Sequence, residues 1–163
     1  MELRAALAYN QSLIRQAVWC FWRRVVGFRF PTALILIAIG LVALIRAGDS
    51  SWLVGVAASA LILGILFMVA LFLVHYRNGI QKLRAMGNPQ AELVVTDSIL
   101  SFSSGAGTAS LPWSSVSEIW QFQTFWILLF SKSQFATLPL ADISAELREF
   151  IVQRVRAAGG KIS

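Results

Sequence analysis

Residues 30–45 read FPTALILIAIGLVALI, 16 positions without a charge, and residues 50–74 form a second uncharged run of 25. Extending the first run back to Val25 gives 21 residues whose one charge, Arg29, lies close enough to the end to reach a headgroup layer. A hydrocarbon core about 30 Å thick takes about 20 helical residues, so either run is long enough to cross it. A soluble helix of this length carries a polar face, and neither run has one. The connector, Arg46-Ala47-Gly48-Asp49-Ser50, has room only for a tight turn. The sequence therefore predicts an antiparallel transmembrane α-helical hairpin over 25–75, with spans at 25–45 and 52–74.

The composition of the 163 residues agrees. Apolar residues make up 57% and charged residues 13%, about half the roughly 25% charge of an ordinary soluble domain. Disorder is excluded, because disordered chains are poor in apolar residues and rich in charge. One cysteine and one histidine exclude a disulfide scaffold and a Cys-based zinc site. No metal, cofactor or catalytic set is expected.

The net charge of +6 is unevenly placed. Residues 1–89 hold nine bases against two acids, and residues 90–163 five against six. The basic balance thus belongs to the flanks of the hairpin, where it suits anionic lipid headgroups of a bilayer. A nucleic-acid footprint needs its bases on the folded domain, so no nucleic-acid partner is expected. Arg4, Arg15, Arg23, Arg24 and Arg29 precede the hairpin, Arg77, Lys82 and Arg84 follow it, and its turn balances Arg46 against Asp49. The positive-inside rule then puts both termini in the cytoplasm of a multi-pass inner-membrane protein. A cleaved signal peptide does not fit: some 24 residues come before the first run and no small-residue cleavage site follows a short one.

Residues 1–24 read as an amphipathic helix, with Leu3, Leu7, Ile14, Val18, Phe21 and Trp22 near helical spacing. Trp19, Trp22, Arg23 and Arg24 suit an interfacial belt, as Arg77, Lys82 and Arg84 do after the second span. The helix lies either on the membrane surface, which the tryptophans favour, or on the cytoplasmic domain. Asn10-Gln11-Ser12 is a glycosylation sequon without consequence on a cytoplasmic segment, and Cys20 reads as an inert buried thiol. In the second span Gly55/Ser59 and Ala60/Gly64 give two small-xxx-small spacings that let helix backbones approach. They pack the hairpin on itself or, alternatively, join two copies. Neither span carries an acid or base away from its ends, which argues against a pump or channel.

After a basic elbow at 76–90 the period changes. Residues 91–96, 99–103, 108–111, 116–122, 125–130 and 135–138 are short, β-rich and separated by turn residues, among them Ser131-Lys132-Ser133-Gln134. This spacing predicts an antiparallel meander. Ser144 is a plausible N-cap, and Leu147, Phe150, Ile151 and Val155 make an apolar stripe before Gly159-Gly160. Residues 91–160 thus form a small α+β domain closed by a C-terminal helix.

The candidate chemistry is thin. There is no Gly-x-Ser-x-Gly elbow, His75 sits at the membrane exit, and Gly105-Ala106-Gly107 reads as a hairpin turn. Glu92, Asp97, Glu118, Asp142, Glu146 and Glu149 lack metal-ligand spacing. Residues 120–126 are aromatic or apolar on both strand faces, so one face serves the core and the other meets the bilayer, the N-terminal helix or another chain. Phe122, Phe125 and Trp126 are the candidate contact residues.

Two apolar runs, a basic elbow, and a strand-rich tail carrying LPWSSVSEIW (111–120) and FATLPLADIS (135–144) before a helix resemble YcxB-like membrane proteins of bacteria. The matching positions are Thr96, Asp97, Leu111, Trp113, Val116, Ile119, Leu128, Leu138 and Pro139. The resemblance implies a partly open β-barrel related in shape to pleckstrin-homology domains, and it implies no reaction. The expected function is non-enzymatic: a hairpin tethers a cytoplasmic interaction domain that meets the membrane surface, a protein partner or a second copy. The alternative is an accessory subunit of a membrane transporter or lipid enzyme, or a membrane immunity or stress protein.

Overall fold

The computed structural model describes residues 2–131 and 134–163, so positions 132 and 133 of the expected 131–134 turn lie outside the described residues. Residues 1–17 with 78–163 make one compact unit, and residues 18–77 make a second. In chain order the elements are strand β1 (Glu2–Ala8), helices α1 (Gln11–Val26), α2 (Arg29–Arg46) and α3 (Trp52–Ala85), strands β2 (Gln90–Thr96) to β7, helix α4 (Ala145–Ala157) and a short β8 (Lys161–Ile162). The intervening strands are β3 (Ile99–Ser104), β4 (Gly107–Pro112), β5 (Glu118–Gln121), β6 (Phe125–Leu129) and β7 (Phe135–Pro139).

The first unit contains two four-stranded sheets, ordered β1-β2-β3-β4 and β7-β6-β5-β8. They are separate sheets and do not close on each other. Pairing is antiparallel except between β5 and β8, which run parallel. The single meander expected from the sequence is thus divided after β4. There the chain leaves β4 at Pro112 through a 3-10 turn at Trp113–Ser115 and the extended Val116, which carry it from the first sheet to the second.

Strand β1 corrects the helix expected over residues 1–24. Glu2–Ala8 pairs residue for residue with β2, from Glu2 opposite Thr96 to Ala8 opposite Gln90. ELRAALA is rich in good helix formers, and Leu3 and Leu7 suit helical spacing as well as strand alternation. Tertiary pairing overrides the propensity: Leu3, Ala5 and Leu7 turn to the core, and Leu7 is fully buried. The helix starts only at Gln11, where the Asn10 side chain accepts a hydrogen bond from Leu13 N at 2.7 Å. The residue of the glycosylation sequon is therefore an N-cap. Gly27, at φ +64°, ends α1, a left-handed conformation that side chains with a Cβ resist.

One core joins both sheets and α4. Leu7, Leu93, Val95 and Leu100 of the first sheet meet Ile119, Trp126, Leu128 and Leu138 of the second, with Leu147, Ile151 and Val155 from α4. Ser144 caps α4 as expected, its hydroxyl accepting from Leu147 N at 3.2 Å. The junction of β1 and α1 is also fixed. Ala8 N donates to the Asp142 carboxylate at 2.8 Å, and the Tyr9 hydroxyl donates to Thr137 O at 2.9 Å. Burial, with the Asp142 charge second, pushes the Tyr9 phenol well above its ordinary range.

The second unit is the hairpin. At 1.5 Å per residue α2 is about 27 Å long and α3 about 51 Å. The second span is therefore the front part of one long helix, and the elbow expected at 76–90 is helical as far as Ala85. The turn is held by Asp49, which accepts from Ser51 N at 2.7 Å; that backbone hydrogen bond lowers the Asp49 pKa.

Leu7→Ala distinguishes the strand from a surface helix. It is expected to destabilise the folded protein by about 2–5 kcal/mol, measured by chemical denaturation. An exposed helix position would lose a few tenths.

Candidate functional site

Three groups of residues stand out in the sequence, and the structure gives each different surroundings. The interfacial group is built on α1 and α3 within the second unit. Trp19 and Trp22, three residues apart and so on one helix face, stack with ring centroids 5.2 Å apart. Both meet the Phe72 ring edge-on, at 6.1 and 6.4 Å, and Phe72 stacks on Tyr76. The Trp22 indole N–H donates to Met68 O at 3.1 Å. Phe21 is buried with its ring edge-on to His75 at 5.1 Å, so the single histidine takes part in aromatic packing. Trp19 stays half exposed, and Arg23, Arg24, Arg77, Lys82 and Arg84 are all exposed. The rings pack on one another in one cluster, and Arg23, Arg24 and Arg77 follow its members Trp22 and Tyr76 directly in sequence. Burial pushes the Cys20 thiol pKa up, which disfavours the reactive thiolate.

The small-residue group divides. Gly64 lies against α2: a Cβ there would come within 2.5 Å of Leu34 Cδ2. At Gly55 nothing lies within 4 Å, and Ser59 and Ala60 are exposed.

The third group, Phe122, Phe125 and Trp126, does not form an exposed patch. Phe125 is 3% exposed and Trp126 7%, while Phe122 is half-buried with its ring 5.0 Å from that of Phe125. The expectation of a surface at these positions is corrected by the burial of β6. Trp126 and Leu128 enter the shared core, and Phe125, Ile127 and Leu129 on the opposite strand face are buried as well. A strand buried on both faces reads as a continuous apolar run, and such a run carries no mark of which face is exposed.

A groove of about 390 Å³ lies between Trp126 and the side of α4 that carries Arg148, Glu149, Gln153 and Arg156. The Arg148 guanidinium is already engaged, donating to Ile143 O at 3.1 Å and to Leu140 O. Its role is to hold the 3-10 turn before α4. Among the described residues, no group of three or more His, Cys, Asp or Glu side chains is placed to hold a metal ion.

Of the positions behind the family resemblance, Trp113, Val116, Ile119, Leu128 and Leu138 are core residues, whereas Thr96 and Leu111 are half-buried and Asp97 is exposed. Trp113, Val116 and Ile119 are 4%, 1% and 0% exposed. The Trp113 indole donates to Thr96 O at 2.9 Å, and its ring meets Phe150 of α4 edge-on. Residues 95–153 match the family described as YcxB-like protein, so the chain carries a YcxB-like domain running from the end of β2 into α4. Comparison with curated proteins and with solved structures gave no match.

Leucine at the two glycines of α3 separates a packed notch from an open face. Gly55→Leu is expected to raise stability by up to about 1 kcal/mol through helix propensity, and Gly64→Leu to fall below that variant because the added side chain must displace Leu34, measured by thermal unfolding of the full chain.

Proposed function

We propose that the protein is an integral inner-membrane protein whose α2–α3 hairpin crosses the bilayer and tethers a pleckstrin-homology-like interaction domain on the cytoplasmic side, with no catalysis of its own. The observation that carries this reading is the exposure of the two apolar helices. The most apolar stretch of α2 has a mean hydropathy of 1.9 with 0% of it buried, and that of α3 has 2.8 with 6% buried. The core helix of a soluble protein hides such a surface. An apolar surface this large and uncovered in water drives association, whereas lipid tails solvate it at no cost.

Three further features support the arrangement. The hairpin enters the chain between β1 and β2, and Ala8 and Gln90 at its two approaches are opposite partners in one ladder. Two crossings return the chain to the side it left, which such a ladder requires. Arginines and lysines flank both outer ends, as the positive-inside rule asks of cytoplasmic segments. The domain itself runs four strands, three strands, helix α4 and the two-residue β8 around one core, and the two sheets with a helix late in the chain support the pleckstrin-homology-like reading. Tethering gives such a domain a mechanism without chemistry: a weak contact with a partner in the same membrane becomes effectively intramolecular.

Site-directed labelling tests the topology. In a Cys20→Ser background, Ser50→Cys in the hairpin turn is expected to react with a membrane-impermeant maleimide added to spheroplasts. Ser114→Cys in the domain is expected to react only after the membrane is opened. Labelling of Ser114→Cys from outside, or release of the protein into detergent-free buffer, contradicts the proposal.

A further inference from the structure

The first sheet has two edges of different character. β1 carries Glu2 and Arg4, with Arg4 paired to Glu92 at 3.3 Å. In the second sheet, β8 carries Lys161, and Tyr9 occupies the Thr137 carbonyl of β7. Charges and blocked carbonyls of this kind keep an edge strand from pairing with another chain. β4 carries no charge at all. It reads GTASLP, five of its six residues are exposed, and no residue between Asp97 and Glu118 is charged.

The register fixes which backbone groups this edge offers. Opposite pairs in an antiparallel ladder alternate between exchanging both hydrogen bonds and exchanging none. Pro112, opposite Ile99, has no N–H and takes a place where the nitrogen faces away from β3. Ser110 and Thr108, two and four residues back, face the same way. The two-residue loop closed by Ser104 and Gly107 gives the same parity. Thr108 and Ser110 therefore point both N–H and C=O off the edge of the sheet.

We propose that this edge is a self-pairing surface: β4 of one copy aligns antiparallel with β4 of a second copy about a twofold axis at Ala109. Thr108 then stands opposite Ser110 of the second copy, and each such pair exchanges two main-chain hydrogen bonds, four in all. Pro112 falls beyond the paired groups. A twofold at Ser110 instead sets Pro112 against Thr108 of the second copy and leaves that carbonyl without a donor. Two features favour a second copy over another partner. A neutral strand meets itself without like-charge repulsion and offers a charged partner nothing to match. The side chains also continue the existing pattern. Ser101 and Ser110 hydroxyls lie 2.8 Å apart and Ser103 and Thr108 hydroxyls 2.9 Å apart on one face. The twofold places Ser110 beside Thr108 of the second copy, so that the hydroxyl rows run through four strands. On the other face Ala109 meets Ala109, small enough for the close approach of a non-hydrogen-bonded pair. This pairing rests on the sheet alone and does not depend on where the hairpin lies.

The test is disulfide trapping of the full chain in membranes from expressing cells, in a Cys20→Ser background. Non-hydrogen-bonded partners stand about 4.5 Å apart at Cα, within disulfide reach. Ala109→Cys is expected to give a reducible covalent dimer under mild oxidation, with Thr108→Cys and Ser110→Cys giving little. Adding Ser110→Lys to Ala109→Cys is expected to abolish the dimer while the circular dichroism spectrum stays unchanged. Trapping at Thr108 or Ser110 as strong as at Ala109, absence of trapping at Ala109, or trapping unaffected by Ser110→Lys overturns the proposal.

Discussion

The β1–β2 ladder is the constraint on which the rest of the molecule depends. It pairs the seven residues of β1 with the seven of β2, which lie on opposite sides of the hairpin in sequence. The first sheet is therefore incomplete until the whole hairpin has been made. Closing such a long connection costs conformational entropy that grows only slowly with length. The return comes from burial: Leu3, Ala5 and Leu7 face the core beside Leu93 and Val95. Ala8 and Tyr9 then fix the exit of the chain by hydrogen bonds to Asp142 and Thr137. A hairpin inserted at such a point has its two approaches side by side, and in the proposed arrangement this geometry turns an internal insertion into an anchor.

The two units meet the hydrophobic effect in opposite ways. In the first, apolar side chains are removed from solvent: β6 is buried along its whole length, and both sheets share their core with α4. In the second, Leu36, Ile39, Leu63 and Leu66 are each about 60% exposed, a surface that calls for an apolar solvent. Within that second unit the rings of Trp19, Trp22, Phe72 and Tyr76 pack on one another, with the Trp22 indole anchored on Met68 O.

Much of this was legible in the sequence. The apolar runs announced α2 and the front of α3 because length and uniform hydropathy leave few other structures open. β2 to β7 and the Ser144 cap of α4 fell near their expected places because turn residues and alternation are local signals. What stayed hidden was non-local. ELRAALA suits a helix by propensity, and only the partner strand beyond the hairpin makes it β1. β8 has two residues, too few for any period, and is recruited by the edge of β5 through Ser163 N donating to Ile119 O. The continuous run FWILL did not reveal that both its faces are covered, so Phe125 and Trp126 read as a surface. Gly64 and Gly55 looked alike in spacing, and only the position of Leu34 separates them.

The most direct measurement of the central claim, that residues on either side of the hairpin form one sheet, is a disulfide across the ladder. Ala6 stands opposite Glu92, and either class of antiparallel pair brings Cα atoms within disulfide range. In the full chain lacking Cys20, Ala6→Cys with Glu92→Cys is predicted to form an intramolecular disulfide on mild oxidation, leaving neither thiol open to maleimide. Two freely reactive thiols in the folded protein, as a separate N-terminal helix requires, contradict the account.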